Sequence, residues 1–128
     1  HESALPLVRA VKRGHAFFNL PDMDFGLRDA AFVPFFGVNA ATLLAPSRMA
    51  RALKMVVQPV LATMLPGGAG YEVHFMPAWD DWPSADAAHD ARRMNEWIES
   101  HIAHTPAQYL WVHKRFKTRP AGEPNPYE

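Results

Sequence analysis

Proline sets the tightest limit on what this chain can fold into: 12 of its 128 residues lack a backbone N–H and hold φ at about −65°. Each ends, opens or kinks an element, so the sequence predicts many short elements and irregular connections. The best apolar run, Ala30 to Val38, is broken by Pro34 and Gly37, well short of the roughly 20 apolar residues a membrane-spanning helix needs. The remaining composition is that of one folded domain, 48% hydrophobic and 20% charged, and a chain of this size buries roughly two thirds of its unfolded surface. Its 13 Lys plus Arg cancel its 13 Asp plus Glu, which removes any global charge argument for a nucleic-acid partner. With no Cys there is no disulfide framework, thiolate zinc site or thiol nucleophile.

Along the chain, Ser3 to Arg13 has apolar residues at helical spacing and stops at Gly14, an amphipathic helix. Ala16 to Leu20 reads as a short buried strand feeding the turn Pro21 to Arg28. A helix is expected over part of Ala40 to Lys54, restarted or kinked at Pro46. Met55 to Leu61 and Tyr71 to Met76 read as paired strands around a Pro66–Gly70 loop, which lacks the Lys and hydroxyl of a phosphate-binding loop. Ser84 is the expected N-cap of a helix reaching about Ala103, with Ala87, Ala91, Met94, Ile98 and Ile102 turned inward. Pro106 opens a short helix through His113. Residues 1–120 form one domain and 121–128 an extended Pro-rich tail.

Charge is unevenly spread. Lys114, Arg115, Lys117 and Arg119 lie beside Trp111, His113 and Phe116, a set suited to phosphates attached to something apolar, or equally a solvated basic segment. Asp22 and Asp24 are two apart and share a face when extended. They could bind a cation, orient a base or accept from substrate hydroxyls, or they could close an Asx turn, and Arg28 could pair with Asp24. Arg48 and Arg51 project from one side of a helix, as an anion site or as an ordinary exposed face. His101 and His104 lack a surrounding His-Glu-x-x-His pattern, so no metal is expected.

The run Gln108-Tyr109-Leu110-Trp111-Val112-His113-Lys114-Arg115-Phe116-Lys117-Thr118-Arg119-Pro120 resembles the C-terminal signature of the bacterial lipid A biosynthesis lauroyl/myristoyl acyltransferases. Pro21-Asp22-Met23-Asp24-Phe25-Gly26, Phe32-Val33-Pro34-Phe35-Phe36-Gly37, Gly70-Tyr71-Glu72-Val73 and Arg93-Met94-Asn95 follow the same order as in those enzymes, so the likeness runs from about Leu5 to Pro120. It implies an α/β fold of the glycerolipid-acyltransferase kind, a mixed sheet flanked by helices, incomplete here at the N-terminus.

The activity implied is transfer of a fatty acyl chain from acyl carrier protein to a hydroxyl of a Kdo-bearing lipid A precursor, at the cytoplasmic face of the inner membrane and without metal or cofactor. A His with a carboxylate five residues later does the chemistry in that family. None of the seven His here has Asp or Glu at that spacing. The catalytic pair and the membrane anchor are therefore expected upstream of His1, and this chain alone is expected to be inactive. Asp22, Asp24, Arg28, Arg48, Arg51, Lys114, Arg115, Lys117 and Arg119 are its candidate substrate-binding residues. The alternatives are a non-catalytic module for anionic glycolipid, or an acyltransferase with a different lipid acceptor.

Overall fold

The computed structural model describes residues 5–128. Helix α1, Leu5–Lys12, ends at Gly14, which adopts φ +89°; residues 3 and 4 of the expected helix lie outside the described residues. Ala16 to Leu20 is not a buried strand: it is irregular, with Phe18 75% exposed. Among the described residues no strand pairs with it.

Strands β1 (Ala30–Phe35) and β2 (Val38–Leu43) form an antiparallel hairpin closing at Phe35 opposite Val38. Phe36 and Gly37 make its two-residue turn with φ +49° and +75°, the doubly left-handed geometry that matches strand twist. That turn decides which part of Ala40 to Lys54 is helix: the expected helix is there, in the later part of the range. The chain is returned onto β1, and Ala40, Ala41 and Thr42 are buried as strand residues. Helix α2 runs only from Ala45 to Leu53, and Pro46 sits in its first turn, where the missing N–H leaves no bond unmade, so it starts the helix without kinking it.

Strands β3 (Val60–Met64) and β4 (Tyr71–Phe75) form a second antiparallel pair joined by a tight turn at Pro66–Gly68. Pairing starts later than Met55 because Pro59 can offer only its carbonyl, taken by the Met76 N–H at 2.9 Å. The described residues thus hold two separate two-stranded antiparallel sheets and helices, an α/β chain without the expected mixed sheet. Each strand finds its partner across a local turn, and among the described residues no crossover brings parallel strands together. The β3–β4 pair stands proud, with Tyr71 70% and Phe75 69% exposed.

Helix α3, Ala87–His104, is capped by Asp86 and not by Ser84: the Asp86 carboxylate accepts from the N–H groups of Ala88 and His89 at 2.9 and 3.1 Å. Ser84 instead donates its N–H to the buried Asp90 carboxylate, which also takes the Ser47 hydroxyl at 2.6 Å. The expected inward stripe holds, with Ala91, Met94 and Ile102 buried. Ile98 and Ile102 of α3 pack with Phe35 and Ala40 of the hairpin, closed by Tyr109 and Phe116. The expected helix after Pro106 is two short 3-10 turns, Pro106–Gln108 and Trp111–His113, ended when Lys114 turns left-handed at φ +49°. Residues 121–128 are not extended. They fold back, Glu123 pairing with Arg119 and the Tyr127 hydroxyl accepting from the Phe116 N–H at 3.1 Å. No helix among the described residues is long and apolar enough to cross a membrane.

Candidate functional site

The terminal block crosses the β1–β2 hairpin, and Arg115 carries the crossing. Its side chain is buried, donating to the Ala41 carbonyl at 2.7 Å and the Thr42 hydroxyl at 2.8 Å, with the guanidinium 5.2 Å from the Phe35 ring centre. Thr42 gives its own proton to the Ala40 carbonyl and accepts a second bond from Asn95, whose amide also reaches the Pro34 carbonyl at 3.0 Å. The hydroxyl is therefore fully used, with one proton given and two accepted. Burial pulls the Arg115 guanidinium below its ordinary value, opposed by Tyr109, Asp24 and Asp22 in that order.

Asp24 is the second tie. One carboxylate oxygen accepts from the Gly26 N–H at 2.9 Å, an Asx turn made possible by Gly26 at φ +82°. The same carboxylate takes both the N–H and the hydroxyl of Thr118 at 2.8 Å. Turn and long-range clamp coexist, joining positions 94 residues apart. Arg28 is exposed and forms no ion pair with Asp24 among the described residues.

The other candidates divide. Arg119 donates to the Asn39 carbonyl and pairs with Glu123, so it braces the tail as Arg115 braces the hairpin. Lys114 and Lys117 face solvent, Lys114 with its ammonium 5.9 Å from the Tyr127 ring. Arg48 pairs with Asp29, and Arg48 and Arg51 border a shallow pocket of about 520 Å³ at the start of α3, away from the terminal block. Among the described residues, no three His, Asp or Glu side chains come together as metal ligands would.

Asp22 belongs elsewhere: it lies, half-buried, in the wall of an open groove of about 970 Å³. Phe17, Leu53, Trp79, Met94, Trp97 and Ile98 make most of its lining apolar, and Asp22, His101 and Tyr109 put polar groups at its side. His101 stacks on Trp97 at 4.0 Å, its Nδ1 2.8 Å from the Trp97 carbonyl. Burial, and after it the Asp22 carboxylate, pushes the Tyr109 phenol far above its ordinary value, so it stays protonated. The sequence reading missed Thr42, Asn95 and Tyr109. Asn95 did carry a signal, since it stands four residues after Ala91 on the buried side of α3.

Residues 3–118 match the sequence profile of the bacterial lipid A biosynthesis acyltransferases. The chain belongs to that family. It is 38% identical to the lipid A biosynthesis lauroyltransferase of Escherichia coli K12 over 94% of its own length and 40% of that enzyme's. It is 37% identical to the palmitoleoyltransferase of the same organism, again over 94% and 40%. To the myristoyltransferase the identity is 35%, over 96% of this chain and 38% of the relative. As a lipid A acyltransferase family chain it thus spans about 40% of the length of the curated relatives it matches. The matched stretch takes in both turns that meet at Asp24 and Thr118.

Proposed function

We propose that this chain is the acceptor-side part of an enzyme that moves a fatty acyl chain from acyl carrier protein to a hydroxyl of a Kdo-bearing lipid A precursor, in lipopolysaccharide biosynthesis. The observation that carries the reading is the groove: an apolar trough bordered by Asp22 and Tyr109, in a chain of this family. A volume of about 970 Å³ is of the size that encloses a long acyl chain. In the reaction the acceptor oxygen attacks the thioester carbonyl and forms the new ester, the carbon–sulfur bond breaks, and the hydroxyl proton passes through a base to the departing thiolate. A His and its orienting carboxylate, on residues outside this chain, supply that base, and an apolar anchor outside it holds the enzyme at the cytoplasmic face of the inner membrane. Exposed Lys114 and Lys117 meet precursor phosphates or Kdo carboxylates, while Arg115 and Arg119 hold the segment that presents them.

The test is transfer by the full-length protein. Given acyl carrier protein loaded with a labelled fatty acid, it is expected to acylate Kdo-bearing lipid A precursor and not glycerophospholipid. Transfer to another lipid acceptor alone, or binding of precursor without transfer, would replace this reading with one of its two rivals.

A further inference from the structure

The chain is neutral as a whole, but two of the helices beside the groove are not. Helix α1 carries Arg9 and Lys12, with Arg13 in the turn that closes it, and α2 carries Arg48 and Arg51, with Lys54 as its left-handed cap. Neither helix holds an Asp or Glu, and the two pack against each other. All of these cations are exposed. Arg48 pairs with Asp29, and the others form no ion pair with a described residue.

Spacings of three and four residues put Arg9, Lys12 and Arg13 on one side of α1, and Arg48 and Arg51 on one side of α2. Cations in a last turn complement the helix dipole, which accounts for one on each helix. Further cations four apart with no acid between them repel one another. A negatively charged partner turns that repulsion into attraction. The same helices also border the groove: Val11 of α1 and Met49, Ala50 and Leu53 of α2 lie in its wall, and Lys54 joins them at its edge. A partner held on the cations sits beside the groove.

The surface chemistry favours an acidic protein over a bilayer. A helix lying in a bilayer buries a face of bulky apolar residues. The exposed residues of α2 are its cations with Ala45 and Ala52, and α1 adds one large apolar side chain, Leu5. Small residues between the cations let another helix come close. From Arg48 to Lys54 the chain rises about 9 Å along the axis, so acids three or four residues apart on an opposing helix meet these cations in register.

We propose that the outer face of α1 and α2 is the docking surface for the protein that donates the acyl chain: an acidic face of acyl carrier protein binds the cations and brings its thioester to the groove beside Lys54. The assignment rests on the acyltransferase reading of the groove and adds where the donor binds.

Equilibrium binding of fatty-acyl-loaded acyl carrier protein to the full-length protein tests the surface, and transfer is scored separately. Arg9→Glu with Arg13→Glu, and Lys12→Glu with Lys54→Glu, are each expected to weaken carrier binding at least tenfold at low salt, because two attractions become two repulsions. The matching Gln pairs, which remove charge without reversing it, are expected to fall between these variants and wild type. Wild-type binding is expected to weaken as salt rises, and the Glu pairs to show a flatter dependence. In transfer, the KM for the carrier is expected to rise in step with the lost affinity while kcat changes less than about twofold. Carrier affinity unchanged in both Glu pairs would overturn the proposal. So would unchanged carrier affinity with a tenfold loss of binding to phosphatidylglycerol vesicles, which would give the face to a membrane. Transfer with a carrier KM indifferent to all the variants rejects the docking surface alone. Charge-dependent carrier binding without transfer to the lipid A precursor rejects the acyltransferase reading alone.

Discussion

Arg115→Met separates a brace from a ligand. Arginine in a basic run of a lipid enzyme invites a phosphate, but this guanidinium is 2% exposed and gives its protons to Ala41 and Thr42. Each bond from a charged donor contributes about 1.5–3 kcal/mol, and the contact over Phe35 about 1 kcal/mol more. Against this, methionine relieves the cost of burying a charge, although it leaves the Ala41 carbonyl unpaired. The net loss comes to about 2–4 kcal/mol, or roughly a 30- to 1,000-fold fall in the folding constant. Urea unfolding followed by circular dichroism reads it directly, as a lower midpoint at an unchanged slope. Arg115→Lys should fall between, since it keeps the charge but not the two-pronged reach. Lys117→Met, on an exposed side chain, should stay within about 0.5 kcal/mol of wild type. Were Arg115→Met as stable as wild type while losing its affinity for anionic lipid, the brace argument would be wrong and Arg115 would be a ligand.

The remaining predictions concern the same segment. Asp24→Ala removes the acceptor for three hydrogen bonds and should cost about 2–4 kcal/mol in the same assay, with trypsin cutting earliest after Lys114 or Lys117 as the terminal block comes loose. Changing Lys114 and Lys117 together to Met should weaken binding to vesicles of anionic glycolipid and flatten its salt dependence without changing stability. The Tyr109 phenol, raised from 10.0 in the folded chain, adds a pH term of definite sign. Below about pH 10 folded and unfolded forms both keep the proton. Above it the unfolded chain ionises first, so stability falls as pH rises. Tyr109→Phe should show a shallower alkaline decline in unfolding free energy, and parallel curves would refute the shift.

Where local pattern decided structure, the sequence could be read. Ala91, Met94 and Ile102 recur at helical spacing and face the core of α3, and the glycine-containing Pro66–Gly70 loop does join two strands. The misreadings come from competition that pattern cannot weigh. The helix expected over part of Ala40 to Lys54 is present, but pattern left its start open, and the Phe36–Gly37 turn sets it by folding Ala40 to Leu43 onto β1. Ser84 and Asp86 can both cap, but the Ser84 hydroxyl is taken up with the Asp86 backbone, and the Asp86 carboxylate meets the first helical N–H groups. The site was legible as residue types and not as roles. Asp24 and Thr118 meet across 94 residues, a distance at which spacing says nothing, and Arg115 looks like any surface cation until the hairpin closes over it. Family resemblance supplied the chemistry, while the division of the basic run into internal arginines and exposed lysines required coordinates.

The proposal that the protein acts in lipid A acylation can be tested in cells. The most direct measurement is mass spectrometry of lipid A from cells in which the gene is deleted and then restored. Deletion is expected to remove one acyl chain, the wild-type gene to return it, and Asp24→Ala to return it poorly. An unaltered lipid A profile in the deletion strain would contradict it.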